Sequence, residues 1–173
     1  MEKTLFDLNL QEFKIYSLIA EQYGTMEEKD DQLNALGIFI EYQDVFTNYS
    51  TLAFSNMEAL KRAIFIQWYA ASEPRCFTGI GDLEKKTEQD NISLMNDHAL
   101  NNKLDDEFTL MAIYYNNVTD WYFKSFTNND FLLGMLQAHQ NLKLYNLKLL
   151  DMENRGCMGK YWNSIDRNLL YEI

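Results

Sequence analysis

The chain has 173 residues, 47% of them hydrophobic, with one proline and seven glycines, a composition that favours a single all-α domain over residues 1–173 rather than many short strands. Its formal net charge is −11 and its basic residues do not cluster, so we do not expect it to bind the phosphate backbone of nucleic acids. No run approaches the ~18 apolar residues of a membrane span, and the first residues lack the features of a secretory signal, so we expect a cytoplasmic protein that does not enter membranes.

Two helices are predicted before residue 50. Over residues 9–23, apolar side chains recur every three or four positions, which predicts a first helix. Thr25 and Glu28 have the spacing of a capping box, and the apolar positions after them predict a second helix over residues 25–48. Gly37 falls inside this second helix, and we interpret it as the site of a close helix crossing. The apolar stripe of the first helix consists of Phe13, Tyr16, Ala20 and Tyr23, flanked by Ile15 and Ile19.

A helix over about residues 56–71 is predicted to form the buried centre of the fold. Ser55 and Glu58 again have capping-box spacing, which predicts where this helix begins. Its apolar stripe widens until little of the last two turns is polar, so other elements must surround it. Pro74 ends the helix because the residue before a proline is disfavoured in helical conformation. The side chains that we expect to be most buried are Ile64, Phe65 and Trp68.

The rest of the chain is predicted to be helical by the same periodicity. Residues 83–102 follow a predicted cap at Asp82, and their polar first half predicts either a surface position or a break in the middle of the segment. Residues 105–122 and residues 129–156 have clear apolar stripes, and a short helix follows Gly156. These assignments predict a single compact bundle of six or seven helices.

The cysteines and histidines match no known metal or catalytic motif. Cys76 and Cys157 do not have the spacing of a disulfide framework, so we expect two reduced thiols. Neither His98 nor His139 has the glutamate partner that di-iron bundles and zinc proteases place at a fixed offset. We therefore predict no metal and no cofactor, and no residue can be assigned a catalytic role.

The leading functional hypothesis is a non-enzymatic protein-interaction or regulatory module. Residues 1–60 contain 11 acidic and 3 basic side chains, a net charge of −8, whereas residues 142–173 have a net charge of +1. Complementary charge speeds association and selects partners, so we expect the acidic N-terminal third to face a basic protein partner. Lys61 and Arg62 are interpreted as exposed charges on a helical face. A homodimer through surplus aromatic and methionine surface is compatible with this hypothesis.

The alternative hypothesis is a protein that binds a small anionic ligand, as a binding protein or as an enzyme. Its pocket would form where loops 73–82 and 154–162 converge. These loops combine cations for a carboxylate or phosphate, glycines that allow close backbone approach, and aromatic side chains for an apolar wall. The candidate ligand-binding residues are Arg75, Gly79, Gly81, Arg155, Lys160, Tyr161 and Trp162.

Overall fold

The computed structural model describes residues 3–139 and 152–165. Within these ranges the chain forms nine α-helices and one 3-10 turn, without a strand, so the predicted all-α bundle is confirmed. No helix in the described ranges is both long and apolar enough to cross a bilayer. The helices are α1 (Leu5–Ala20), α2 (Met26–Ala35), α3 (Ile38–Ala53), α4 (Met57–Ser72), α5 (Arg75–Thr78), α6 (Lys85–Leu100), α7 (Asp106–Val118), α8 (Asp130–Ala138) and α9 (Gly156–Ser164).

Helix α1 begins earlier than predicted because Thr4 and Asp7 form a capping box at its N-terminus. The Asp7 backbone N–H donates to the Thr4 hydroxyl at 3.2 Å, and the Thr4 backbone N–H donates to the Asp7 carboxylate at 2.9 Å. The central stripe that predicted this helix does not face the core, since Phe13, Tyr16 and Tyr23 are all exposed, whereas Ile15 beside it is buried. The buried residues of α1 are instead Leu8, Glu12 and Ile15.

The segment predicted as one helix over residues 25–48 forms two helices, α2 and α3. This split explains part of the difference between the six or seven predicted helices and the nine in the described residues. Thr25 and Glu28 form the expected capping box at the start of α2. The chain then turns at Gly37, whose φ of 72° lies in the left-handed region that glycine adopts without strain. A Cβ atom at Gly37 would meet nothing within 4 Å, so our interpretation of this glycine as a close helix crossing was wrong.

Helix α4 is the buried centre of the bundle, as predicted. Every residue from Ala59 to Trp68 is buried, including Ile64 and Phe65. Its N-terminal cap differs from the prediction, because the Asn56 side chain, and not that of Ser55, accepts the free backbone N–H groups. The Glu58 carboxylate is thereby left available for long-range ion pairs.

An aromatic cluster joins α4 to α7 and α9. The ring of Trp68 stacks on that of Tyr115 with centroids 4.4 Å apart, and Tyr161 meets Trp68 edge-on at 5.4 Å. The indole N–H of Trp68 donates to the Thr119 hydroxyl at 2.7 Å, and that of Trp162 donates to the Tyr115 hydroxyl at 3.2 Å. Trp162 is thus buried in the core and the partly buried Tyr161 packs against it, while their predicted role as a pocket wall stays a prediction.

Several later helix boundaries differ from the prediction. Helix α6 follows Glu84 rather than a cap at Asp82, and α7 ends at Val118. The segment predicted as one helix over residues 129–156 begins as α8, its residues 140–151 lie outside the described ranges, and Gly156 begins α9. Residues 166–173 of the predicted C-terminal segment also lie outside the described ranges.

Candidate functional site

Arg75, in loop 73–82, is engaged by a carboxylate on α2. Its Nε donates to Asp30 Oδ1 at 2.7 Å, and its second guanidinium nitrogen bonds Asp30 Oδ2. The guanidinium also lies 5.1 Å from the centroid of the Phe39 ring. Gly79 and Gly81 follow closely, and a Cβ atom at either position would collide with a side chain of the core, Ile19 or Phe39. These residues anchor α5 to the helices beneath it.

Arg155, which directly precedes α9, is buried between two carboxylates. The segment predicted as loop 154–162 is therefore helical from Gly156 onwards. It donates to Glu58 through Nε at 2.8 Å and Nη2 at 2.5 Å. It also donates to Glu107 through Nη1 at 2.7 Å and Nη2 at 2.9 Å. The guanidinium is thus held in two bidentate pairs, the strongest geometry available to an arginine side chain.

The structure does not bring the two arginines together. Arg155 bonds Glu58 in the first turn of α4, whereas Arg75 follows the last turn of the same helix. A helix of 16 residues is about 24 Å long, so the two guanidiniums lie towards opposite ends of α4. One anion held between both arginines is therefore not supported by the geometry. A ligand-binding role for the remaining candidates stays an untested prediction.

Arg155 belongs to a buried ionic cluster that the sequence did not reveal. We define this cluster as Glu58, Lys61, Arg62, Glu107 and Arg155. Lys61 donates to Glu107 at 2.6 Å, and Arg62 donates to Glu58 at 2.8 Å. Our interpretation of Lys61 and Arg62 as exposed charges was therefore wrong, because both are buried. Burial alone would raise the pKa of Glu107, but hydrogen bonds from Arg155 and Lys61 outweigh it and hold the pKa below its ordinary value.

The ionic cluster extends to a buried carboxylate on α1, Glu12. Arg62 donates to the Tyr49 hydroxyl at 3.1 Å, and this hydroxyl donates to Glu12 Oε2 at 2.7 Å. The Tyr42 hydroxyl and the backbone N–H of Cys157 both donate to Glu12 Oε1, at 3.2 and 3.1 Å. Burial raises the pKa of Glu12, although these donors oppose the shift. Polar contacts thus run from α7 through α4 to α1.

Side chains of α4 and α1 hold the turn that leads into α9. The Asn154 carbonyl accepts a hydrogen bond from Arg62 at 3.1 Å, and the backbone N–H of Gly156 donates to Asn9 at 2.8 Å. The backbone is in the left-handed region at both turn residues, with φ of 59° at Asn154 and 60° at Gly156. Burial also raises the pKa of the Cys157 thiol to about 12, so this cysteine is a protonated thiol at neutral pH.

A cavity of about 270 Å³ lies between α1 and residues 152–163. Lys160 is the candidate ligand-binding residue that lines it, and its ammonium is 3.3 Å from the centroid of the Tyr16 ring and 4.8 Å from that of Phe13. Burial lowers the pKa of Lys160. Ring faces and the Lys160 ammonium therefore contact each other along one wall of this cavity.

A second depression lies between α2 and α5 and combines apolar and acidic side chains. It has a volume of about 390 Å³. Met26 lines it, and Phe77 lies nearby, where its ring is 5.4 Å from the ammonium of Lys29 on α2. Both apolar side chains are about half exposed. We define the α2–α5 surface as Met26, Glu27, Asp30, Pro74, Arg75 and Phe77.

The N-terminal acidic residues are only partly available to a partner. Glu12 and Glu58 are taken up by internal contacts, and Asp7 and Glu28 cap helices. A count of acidic residues along the chain does not separate capping and buried carboxylates from free ones. The acidic side chains of α2 that stay exposed outside these roles are Glu27 and Asp31, and Glu21 is exposed directly after α1.

Neither comparison with known proteins nor metal geometry identifies a function. The chain matches no protein-family model, and no characterised protein or solved structure is significantly similar to it. Among residues 3–139 and 152–165, no group of three or more histidine, cysteine or acidic side chains is placed to hold a metal ion.

Proposed function

We propose that this protein is a non-enzymatic protein-interaction module that binds a basic partner through the α2–α5 surface. The observation that carries the proposal is a depression lined by the half-exposed Met26 and by carboxylates, with the half-exposed Phe77 directly after the lining residue Cys76 in the chain. Apolar side chains exposed beside one another on a soluble protein commonly mark a site of interaction.

The two components of this surface would contribute in different ways. The depression beside Met26 and Pro74 offers an apolar contact that excludes water, which is where interface affinity concentrates. Exposed carboxylates steer a basic partner to the surface and disfavour acidic ones. Asp30 is already paired with Arg75, so the charges available for this purpose on α2 are those of Glu27 and Asp31.

The partner chemistry follows from this arrangement. We expect a segment with an aromatic or large aliphatic side chain for the depression, flanked by lysine or arginine for Glu27 and Asp31. Association of this kind should be fast at low ionic strength and weaken as salt screens the charges, with a screening length of about 8 Å at physiological salt.

A labelled peptide with one phenylalanine flanked by lysine and arginine provides the test. We expect saturable binding by fluorescence anisotropy that weakens with salt. The double variant Glu27→Lys with Asp31→Lys should reduce affinity at least about tenfold. The matched control is Asp90→Lys with Asp97→Lys, which makes the same charge change at two exposed positions of α6 and should reduce affinity much less.

The apolar part of the surface is tested separately. Phe77→Ser should weaken binding of the phenylalanine peptide but not further weaken binding of the same peptide with serine in place of phenylalanine. Equal losses in the α2 and α6 charge variants would mean that net charge alone attracts the peptide. That result, or a Phe77→Ser effect independent of the peptide's phenylalanine, would contradict the proposed surface.

A further inference from the structure

The outer face of α1 exposes a row of large apolar side chains. Phe6, Leu10 and Phe13 are 65%, 52% and 59% exposed, and Tyr16 is 47% exposed beside them. Their spacing of four and then three residues places the first three on one face of the helix. We define Phe6, Leu10 and Phe13 as the α1 stripe. Soluble monomers rarely leave such a continuous apolar face uncovered, so this stripe indicates a binding surface.

The spacing of the stripe is that of a helix–helix seam. Apolar residues separated alternately by four and three positions occupy the a and d sites of a heptad, with Leu10 at a, and Phe6 and Phe13 at d. Charged residues follow each d site, and they alternate in sign: Asp7, Lys14 and then Glu21. These three residues occupy the e sites of successive heptads, on one flank of the stripe.

The charges on this flank favour an antiparallel copy of the same helix. In antiparallel helix pairs, e sites face e sites, so Asp7 of one copy would lie beside Lys14 of the other. Asp7 is exposed, and its capping bonds from Thr4 use only Oδ2, which leaves Oδ1 for this contact. Twofold symmetry makes this attraction occur twice. The same alignment sets Leu10 of one copy against Phe13 of the other, also twice. In a parallel pair the e sites would face the uncharged g residues Asn9 and Tyr16, and this attraction would be lost.

We propose that the α1 stripe docks antiparallel against the α1 stripe of a second copy of this chain, forming a twofold-symmetric homodimer. Lys14 is available for this contact because 67% of its side chain is exposed, and its ion pair with Glu41 is long, at 3.7 Å. A single helix face is smaller than the roughly 800 Å² per partner of a standard interface, so the dimer is weak and depends on concentration.

Sedimentation equilibrium over a wide range of protein concentration tests the proposal. The apparent mass of the wild type should rise from one chain towards two as concentration increases. Leu10→Asp and Phe13→Asp should each weaken dimerisation at least about tenfold. The matched control is Leu100→Asp at the end of α6, where the leucine is 55% exposed, close to the 52% of Leu10. This control should leave the dimer unchanged.

A charge variant tests the antiparallel alignment itself. Lys14→Glu would place a glutamate beside the partner's Asp7, so it should weaken the dimer several-fold. Glu41→Gln removes the intrachain partner of Lys14 and should not weaken it. A wild type that stays at the mass of one chain at every concentration overturns the proposal. If Leu10→Asp then lowers thermal stability, the stripe is covered within the chain. If it does not, the stripe is open to a different protein. Equal weakening by Leu10→Asp and Leu100→Asp overturns it as well. Peptide binding to the α2–α5 surface is measured separately and does not depend on these outcomes.

Discussion

Replacing Arg155 by alanine should destabilise the fold more than an ordinary surface substitution. The change removes four hydrogen bonds to two carboxylates. Glu107, whose side chain is buried, would keep only Lys61 as a charged partner in the ionic cluster. Removing one partner of a buried ion pair costs about 3–5 kcal/mol, mainly because the remaining charge stays buried without compensation. We therefore expect Arg155→Ala to lower the free energy of unfolding by about 3–5 kcal/mol.

Arg75→Ala provides a control of the same residue type. Arg75 also makes a bidentate contact with a carboxylate, but its side chain is half exposed. Exposed ion pairs contribute about 0–1 kcal/mol, so this variant should remain close to the wild type. Arg155→Lys should fall between the two, since a lysine retains the charge but cannot reach both carboxylates with a planar fork of donors.

Urea denaturation followed by circular dichroism at neutral pH measures these differences. The three variants and the wild type should unfold with similar dependence on urea, so that shifts of the midpoint report stability. A loss below about 1 kcal/mol for Arg155→Ala, equal to that of Arg75→Ala, would refute the reasoning. It would show that water or a neighbouring side chain compensates Glu107 when the guanidinium is absent.

Three further predictions concern the buried carboxylates, the turn glycine and the thiol. Burial raises the pKa of Glu12, so as the pH falls the folded state binds a proton at a higher pH than the unfolded state does. The stability of the wild type relative to Glu12→Gln should therefore increase as the pH falls from neutral towards 4.5, the ordinary pKa of glutamate. Glu107 should behave oppositely, because burial would raise its pKa but hydrogen bonds from Arg155 and Lys61 lower it. The stability of the wild type relative to Glu107→Gln should therefore be largest above pH 4.5 and should be lost as the pH falls through the lowered pKa. Urea titrations across this range check both, and parallel curves would contradict them. Gly156→Ala should destabilise the fold by more than about 1 kcal/mol, because φ is positive there and a Cβ atom would lie 1.8 Å from the Glu12 carboxylate. Gly134 lies inside α8 with open space around it, so Gly134→Ala should stabilise the fold by about 0.5–1 kcal/mol. Thermal melts should separate the two variants in opposite directions. Iodoacetamide should modify Cys157 at least about tenfold more slowly in the folded protein than in urea, measured by mass spectrometry, and equal rates would contradict the raised pKa.

Local patterns in the sequence determined most of the helical segments. Helical periodicity depends on residues three and four positions apart, so it identified α4 and its buried centre without long-range information. Pro74 likewise acts on its immediate neighbour, and helix α4 ends at Ser72 as expected. The break between α2 and α3 was missed because glycine tolerates both helical and left-handed backbone, and the sequence does not say which one Gly37 adopts.

Periodicity predicted the existence of α1 but not which side of it is buried. Two apolar faces compete on this helix, one containing Leu8 and Ile15 and the other containing Phe13 and Tyr16. The structure buries the first face against its neighbours and leaves the second exposed. A sequence pattern shows which residues share a face, whereas burial depends on the elements packed against that face.

The candidate functional residues depended most on tertiary structure. Arg75 and Arg155 have the same side chain and both lie at the start of a helix, α5 and α9, yet one lies on the surface and the other joins buried carboxylates. Arg155 meets Glu58 across 97 positions of the chain and Glu107 across 48. The sequence by itself determined the helical class, the central helix and the overall acidic charge, because these follow from composition and from neighbours within a few residues. Only the tertiary structure decided which charges are buried, which cap helices and which remain exposed, because each depends on partners brought together by folding.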